Sequence, residues 1–481
     1  MIFSSYIFVL VFLPIVLLIY FGMARFVSRR VQHLFLIAAS LVFYGYAHTS
    51  YIILILTSVM VNYTLATGIQ NIQKKILKKA AFIAGVLFNV GLLGYYKYTN
   101  FFIENVNVVF DTSFTLKHII LPVGISFFTF QQIAFLISVW KKEEQVPPVV
   151  DYTLFITFFP QLVAGPIVFS QDVMSQYQNE KNRFFNLENF NSGLFLFVIG
   201  LFKKCVIADS LVVFVNNGYT DPGIAYLSFG QAWIVSLSYT LQIFFDFSGY
   251  SDMAIGLGRM MNINLPVNFY SPYKSKSITE FWKRWHITLG RSLAVLIYFP
   301  LGGNRKGLSR TCFNLFIVFL VSGIWHGAAW TFIIWGVMHG VVRIIEKLFD
   351  KQISKVPSFI RIFFTFMFVN IAWVLFRAPD THFAYIMFEK MFFPGQGYFT
   401  LNGIGDLAFD GILNYPYIVS TVYVLTMVIV LYAILFFYKK NSIDLYNNFK
   451  PTPKRAIATA AIFCICVIHL SRISPFIYFN F

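Results

Sequence analysis

Residues 311–345 read TCFNLFIVFLVSGIWHGAAWTFIIWGVMHGVVRII. No Asp, Glu, Lys or Arg interrupts this stretch before Arg343, and small residues gather around Gly327. Two apolar runs, 311–325 and 329–345, therefore read as a pair of membrane helices joined at SGIWHGAAW (322–330). The same pattern repeats in both directions along the chain, with candidate spans at 2–22, 33–47, 51–68, 80–96, 118–139, 193–215 and 226–246, then at 358–377, 417–438 and 456–475. Of the 481 residues, 58% are hydrophobic and 12% charged, where a soluble domain carries about a quarter charged residues. The expectation is an all-α, polytopic membrane protein with about 11 to 13 transmembrane helices. It forms a single membrane-embedded domain over 1–481, with a core region at 90–380 and C-terminal helices at 381–481.

A formal net charge of +17 invites a nucleic-acid reading, but the positions of the basic residues argue against it. Arg25, Arg29 and Arg30, then Lys74, Lys75, Lys78 and Lys79, sit between apolar runs, as the positive-inside bias requires. The basic spacers 25–32, 69–79, 141–149, 259–284, 347–357 and 439–455 then share the cytoplasmic side, and the more acidic 378–416 falls opposite. Both termini face outward in this arrangement. The first run lacks a basic leader and a small-residue cleavage site, so it reads as an uncleaved span. Cys205, Cys312, Cys464 and Cys466 lie inside apolar stretches without metal-ligand spacing and read as small core residues.

Two apolar stretches spoil the alternation if they cross fully. Residues 153–168 are broken by Pro160, Gly165 and Pro166, and residues 288–301 are followed by Gly302 and Gly303. Both are expected to be re-entrant, because broken backbone at membrane depth survives only where protein or a water-filled cavity satisfies it. Together they imply a funnel opening to the cytoplasm. By eye, no internal repeat of transporter type is evident.

Ionisable residues at membrane depth are candidate functional groups. His33, His48, His118 and His382 lie at span ends or in loops, where a solvated or interfacial role is expected, while His339 reads as an interhelical hydrogen-bonding group and His469 as a packing or hydrogen-bonding one. His326 stands apart, between two apolar helices, flanked by Trp325 and Trp330 and relieved by Gly323 and Gly327. Its neutral imidazole can take a proton from a hydroxyl attacking a thioester, although a histidine bonded between helices fits the spacing equally well. ITEFWKRWHITL (278–289) and LGGNRKG (301–307) place Lys283, Arg284, His286, Asn304, Arg305 and Lys306 around the second re-entrant stretch. Basic groups beside a glycine turn suit a phosphorylated ligand, and they equally suit a solvated cytoplasmic loop. FDFSGYSDMAIG (245–256) packs Asp246, Ser248, Tyr250 and Asp252 into an apolar neighbourhood, where the carboxylates can orient a histidine or pair with a nearby Lys or Arg. No metal site and no bound cofactor are expected.

These blocks, with GYYKYTNFF (94–102), PVGISFFTFQ (122–131), FFPQLVAGPI (158–167) and WVLFRAPD (373–380), run in the order found in membrane-bound O-acyltransferases. The chain resembles that family along nearly its whole length, in particular the alginate O-acetylation type and the membrane component of peptidoglycan O-acetylation. The resemblance implies a bacterial plasma-membrane acyltransferase that takes acetyl from cytoplasmic acetyl-CoA. The group passes across the membrane to an extracytoplasmic transferase partner acting on an envelope polysaccharide. It implies that His326 is the family histidine and His286 the second one, with Trp325 and the basic groups on the donor side. This sequence departs from the family at Ala294 and Val295, where an Arg-Asp pair is usual, and at Ser138, where Asp is common. D-alanyl transfer to teichoic acid and a transporter or flippase for a sugar or lipid-linked intermediate are the competing readings.

Overall fold

The computed structural model describes residues 1–46, 48–221, 223–393, 417–472, 476 and 477, and among them it is all-α. In chain order the helices are α1 (Leu13–Gly22), α2 (Arg29–Gly45), α3 (Ser50–Asn71), α4 (Lys75–Leu93), α5 (Thr99–Phe110), α6 (Ile125–Trp140), α7 (Val149–Thr157), α8 (Phe159–Leu162), α9 (Ser170–Gln178), α10 (Leu187–Phe202) and α11 (Asp209–Gly218). They continue as α12 (Phe229–Met260), α13 (Ile278–Trp282), α14 (Ile287–Leu293), α15 (Gly307–His326), α16 (Trp330–Leu348), α17 (Asp350–Ile353), α18 (Ser358–Arg377), α19 (Thr381–Phe392), α20 (Tyr417–Phe437), α21 (Ser442–Asn447) and α22 (Pro453–His469). Among the described residues, five helical stretches are long and apolar enough to cross a membrane: Ile7–Arg25, Ser50–Asn71, Lys75–Phe110, Gly307–His326 and Ser358–Arg377. Ile125–Trp140, Ile287–Tyr298 and Val422–Phe437 are shorter apolar helices.

Several boundaries differ from the expectation. The run at 118–139 becomes helical only at Ile125, because Pro122 and a left-handed Gly124 (φ 78°) hold the preceding backbone in a turn. The run at 226–246 continues as helix to Met260, straight through the polar FDFSGYSD segment. Within 378–416, Thr381–Phe392 is helical, capped by Asp380, whose side chain accepts the Phe383 N–H at 2.8 Å; residues 394–416 lie outside the described residues. Cys464 is exposed, whereas Cys205 and Cys466 are buried.

The chain falls into two compact units. The first comprises 1–199, 250–267 and 449–461. There α3, α4 and α6 are tied by a buried amide cluster: Asn89 donates to Asn62 Oδ1 at 2.6 Å, and Ser58 donates to Gln132 Oε1 at 2.8 Å. His33 of α2 is a correction to the interfacial reading, since it is buried with Nδ1 at 2.9 Å from the Asp151 carboxylate of α7. The packing of α2 on α7 puts the two side chains opposite each other. Residues 153–168 are broken and almost wholly buried, as expected from their prolines and glycines. The freed backbone finds protein partners: Phe159 N–H donates to Ser40 Oγ at 3.1 Å, and the Phe155 carbonyl accepts from Gln161 Nε2 at 2.5 Å.

The second unit comprises 200–249, 268–448 and 462–481. Its organising contact is the antiparallel pair α15–α16. A Cβ on Gly336 would lie 2.5 Å from the Phe319 carbonyl oxygen, and one on Gly323 would collide with the Phe332 carbonyl. The two backbones thus touch without intervening side chains, the close approach that small residues permit between membrane helices. The second stretch expected to be re-entrant, 288–301, is helical as far as Tyr298, α14 passing into a π-helical turn, Ala294–Tyr298. Gly302 (φ 105°) and Gly303 (φ 59°) then reverse the chain into α15.

Because rigid backbone opposes Gly336, Gly336→Val is expected to destabilise the unit by about 1–3 kcal/mol or more. A lowered melting temperature of the purified protein in detergent, compared with Gly91→Val where a Cβ meets open space, checks this.

Candidate active site

His326 is the last residue of α15. Gly327 follows in extended conformation (φ −162°, ψ 154°), and α16 starts three residues later, so the imidazole sits where the helical pair turns. The ring is buried, with centroids 4.9 Å from Trp325, 5.2 Å from Trp335 on α16 and 5.1 Å from Phe376 on α18. Ser322 lies one helical turn before it, and Thr331 opens α16; their buried hydroxyls have no hydrogen-bond partner among the described residues.

His286 lies between α13 and α14 in left-handed conformation (φ 46°), a strained state for a residue with a Cβ. It is fully buried, and its Nδ1 is 3.1 Å from Asn268 Oδ1. Phe247 of α12 meets its ring edge-on at 4.8 Å, and Trp325 stands 6.1 Å away. Trp325 therefore lies against both imidazoles. A third, His339 on α16, is 4.7 Å from Trp335 and accepts from Trp282 Nε1 at 3.3 Å, the expected interhelical hydrogen bond. Three histidines and two tryptophans thus form one buried row: His339, Trp335, His326, Trp325, His286.

The row is held by the loop that carries His286. Glu346 of α16 accepts the backbone N–H groups of Ile278 and Thr279, the latter at 2.9 Å, together with the Thr279 hydroxyl at 2.8 Å. Arg343 donates to the Thr279 hydroxyl and lies 3.1 Å from Glu346. The first turn of α13 is in this way satisfied by α16.

The remaining expected site residues are placed differently. Lys283 is exposed near His286 in sequence, and Arg284 is engaged by Glu280 at 2.7 Å. Asn304, Arg305 and Lys306 are exposed on the turn entering α15. Of the FDFSGYSD segment, Phe247 touches His286. Asp246 pairs with Lys204, at 2.6 Å, and also accepts the Ile477 N–H at 2.9 Å, while Lys204 bonds Asp209 at 2.8 Å. Ser248 is buried in the same unit. Tyr250 and Asp252 belong to the other unit, where Tyr250 stacks on Phe3 at 4.7 Å. Ala294 and Val295 lie in the half-buried π-helical turn, and Ser138 is half-buried on α6. Among the described residues, no group of three His, Cys, Asp or Glu side chains forms a metal-ligand set.

Sequence reasoning passed over Lys204, Asp209, Asn268 and Glu346. A lysine inside the apolar run 193–215 was the available signal for the first. Asp209 lies in the same run, five residues from Lys204, whereas Asn268 and Glu346 are signalled by nothing local, since the loop groups they bind lie 18 to 68 residues away.

A profile of the membrane-bound O-acyltransferase family matches residues 141–388, which run from α7 into α19 and include both His286 and His326. A peptidoglycan O-acetyltransferase of Helicobacter pylori is 38% identical over the whole of this chain and 98% of its own length. The chain belongs to the membrane-bound O-acyltransferase family. A probable alginate O-acetylase of Pseudomonas putida is 35% identical over all of both chains. A teichoic acid D-alanyltransferase of Bacillus subtilis is 28% identical over 54% of this chain and 69% of its own. The protein is thus an acyltransferase of a membrane family whose relatives include O-acetyltransferases of envelope polymers.

In this acyltransferase, Lys204→Met leaves Asp209 and Asp246 buried without their cation. It is expected to cost about 3–5 kcal/mol, because breaking half of a buried ion cluster strands the rest. Replacing all three, with Met at 204 and Asn at 209 and 246, recovers part of the loss. Melting temperature and membrane abundance of the two variants provide the check.

Proposed function

We propose that the protein takes an acetyl group from cytoplasmic acetyl-CoA and passes it through the membrane for O-acetylation of a cell-envelope polysaccharide, with His326 as general base. Acetyl-CoA is too highly charged to enter lipid, whereas an acetyl group held in a protein funnel is not. The His326 imidazole takes the proton of an acceptor hydroxyl as its oxygen adds to the thioester carbonyl. The carbon–sulfur bond then breaks, and the proton follows to the departing thiolate. Reacting atoms must approach to about 3–3.5 Å for this, which a buried, fixed ring favours. His286 is the second proton-handling group. Lys283, Arg284, Asn304, Arg305 and Lys306 meet the donor's phosphates from the cytoplasm, with Trp325 between the two imidazoles.

The observation that carries this reading is the contact of both His326 and His286 with one buried indole, Trp325. Transfer of acetyl rather than D-alanyl is favoured by full-length similarity to O-acetylating relatives, against about half the chain for the D-alanyl one. The acceptor chain is then peptidoglycan, alginate or a secondary wall polymer, reached through an extracytoplasmic transferase partner at the bacterial plasma membrane.

His326→Ala is expected to lower polymer-bound ester in cells by about 10²–10⁴-fold while the protein stays in the membrane; unchanged ester content overturns the assignment, as does export of intact sugar without acyl transfer. Arg305→Ala is expected to weaken binding of radiolabelled acetyl-CoA to purified protein, and equal affinity in a filter-binding assay removes it from the donor site.

A further inference from the structure

Asn268 is fully buried in the segment between α12 and α13, and one oxygen of its amide organises the His286 turn. Oδ1 accepts the Thr288 backbone N–H at 3.2 Å and the Thr288 hydroxyl at 2.9 Å. A backbone N–H can only donate, so the atom facing it must be the amide oxygen, which settles the orientation of the side chain. The same oxygen lies 3.1 Å from Nδ1 of His286. An amide oxygen can only accept. Nδ1 must therefore carry the hydrogen of this contact, and in a neutral imidazole, with a single ring N–H, Nε2 is left with the basic lone pair.

The main chain reinforces the arrangement. Ile287 N–H donates to the Asn268 carbonyl at 3.0 Å, and Tyr270 N–H donates to the Arg284 carbonyl at 2.9 Å. These bonds clamp the segment 268–270 to 284–288 and hold His286 in its left-handed backbone state, which is strained for a residue with a Cβ. Ring rotation is limited further by the edge contact with Phe247 and by Trp325. Such a second hydrogen bond is how a protein sets which imidazole nitrogen reacts.

We propose that Asn268 is a positioning residue for His286, holding the imidazole in the Nδ1–H tautomer so that Nε2 is the nitrogen that accepts protons at the acyl-transfer site. This rests on the reading of His286 as a proton-handling group, but the tautomer can be measured without activity. Full-length protein carrying ¹⁵N-histidine, in phosphatidylethanolamine–phosphatidylglycerol vesicles, is examined by magic-angle-spinning NMR, with the His286 signals assigned by their loss in His286→Gln. The expected result at neutral pH is a protonated Nδ1 and an unprotonated Nε2. Asn268→Asp keeps this state, and Asn268→Ala shifts it toward Nε2–H, with at least a tenfold drop in polymer-bound ester that Asn268→Asp largely restores. An Nε2–H tautomer in the wild type or in Asn268→Asp overturns the proposal, and so does an unchanged tautomer in Asn268→Ala. If Asn268→Ala does not accumulate, the wild-type and Asn268→Asp spectra decide alone. Full ester content in His286→Gln removes the reacting role of His286 and, with it, the significance of its positioning.

Discussion

Where α15 crosses α16, the Gly336 backbone lies against that of Gly323, and a Cβ on either would meet a carbonyl oxygen of the facing helix. This contact sets the geometry of everything near His326. Because the pair closes without side chains between them, α15 can end at His326 and α16 begin four residues later, with the imidazole left in the angle of the turn. Trp335 from α16 and Phe376 from α18 then wall the ring on two sides. A bulkier seam would separate the helices and open that angle.

Around this seam several polar groups follow a common physical rule: a buried donor or acceptor without a partner is expensive, so those that find one in the apolar body fix two elements to each other. Glu346 spends its carboxylate on the start of α13, which ties the His286 loop to the same helix that walls His326. Asn268 ties the other side of that loop through one oxygen shared by Thr288 and His286. Lys204, in a π-helical turn that departs from regular helix, joins Asp209 to Asp246 on α12, and Phe247 beside Asp246 reaches His286. The ion cluster thus bears on the site through an aromatic contact.

Much of this arrangement was legible in the residue order. Apolar runs of spanning length need nothing but local composition to declare themselves, and Ser358–Arg377 matches its expected bounds closely. The breaks at Pro160, Gly165 and Pro166 forecast buried irregular backbone because those residues act on their own dihedrals. His326 was singled out by its immediate neighbours, two tryptophans and two glycines. His33 was misjudged for the opposite reason: its partner Asp151 is 118 residues away, so its position near a span end said nothing of its burial.

By itself, the sequence determined the all-helical membrane class, the family and the histidines worth weighing, since each is written in hydropathy, in backbone-restricting residues or in contiguous motifs. Only the tertiary structure decided that one indole serves both imidazoles, that Asp246 answers Lys204 and not a histidine, and that Asn268 holds His286. Those facts depend on which side chains meet after the chain has folded back on itself, and the packing of rigid helices, not the order of residues along any one of them, selects those meetings.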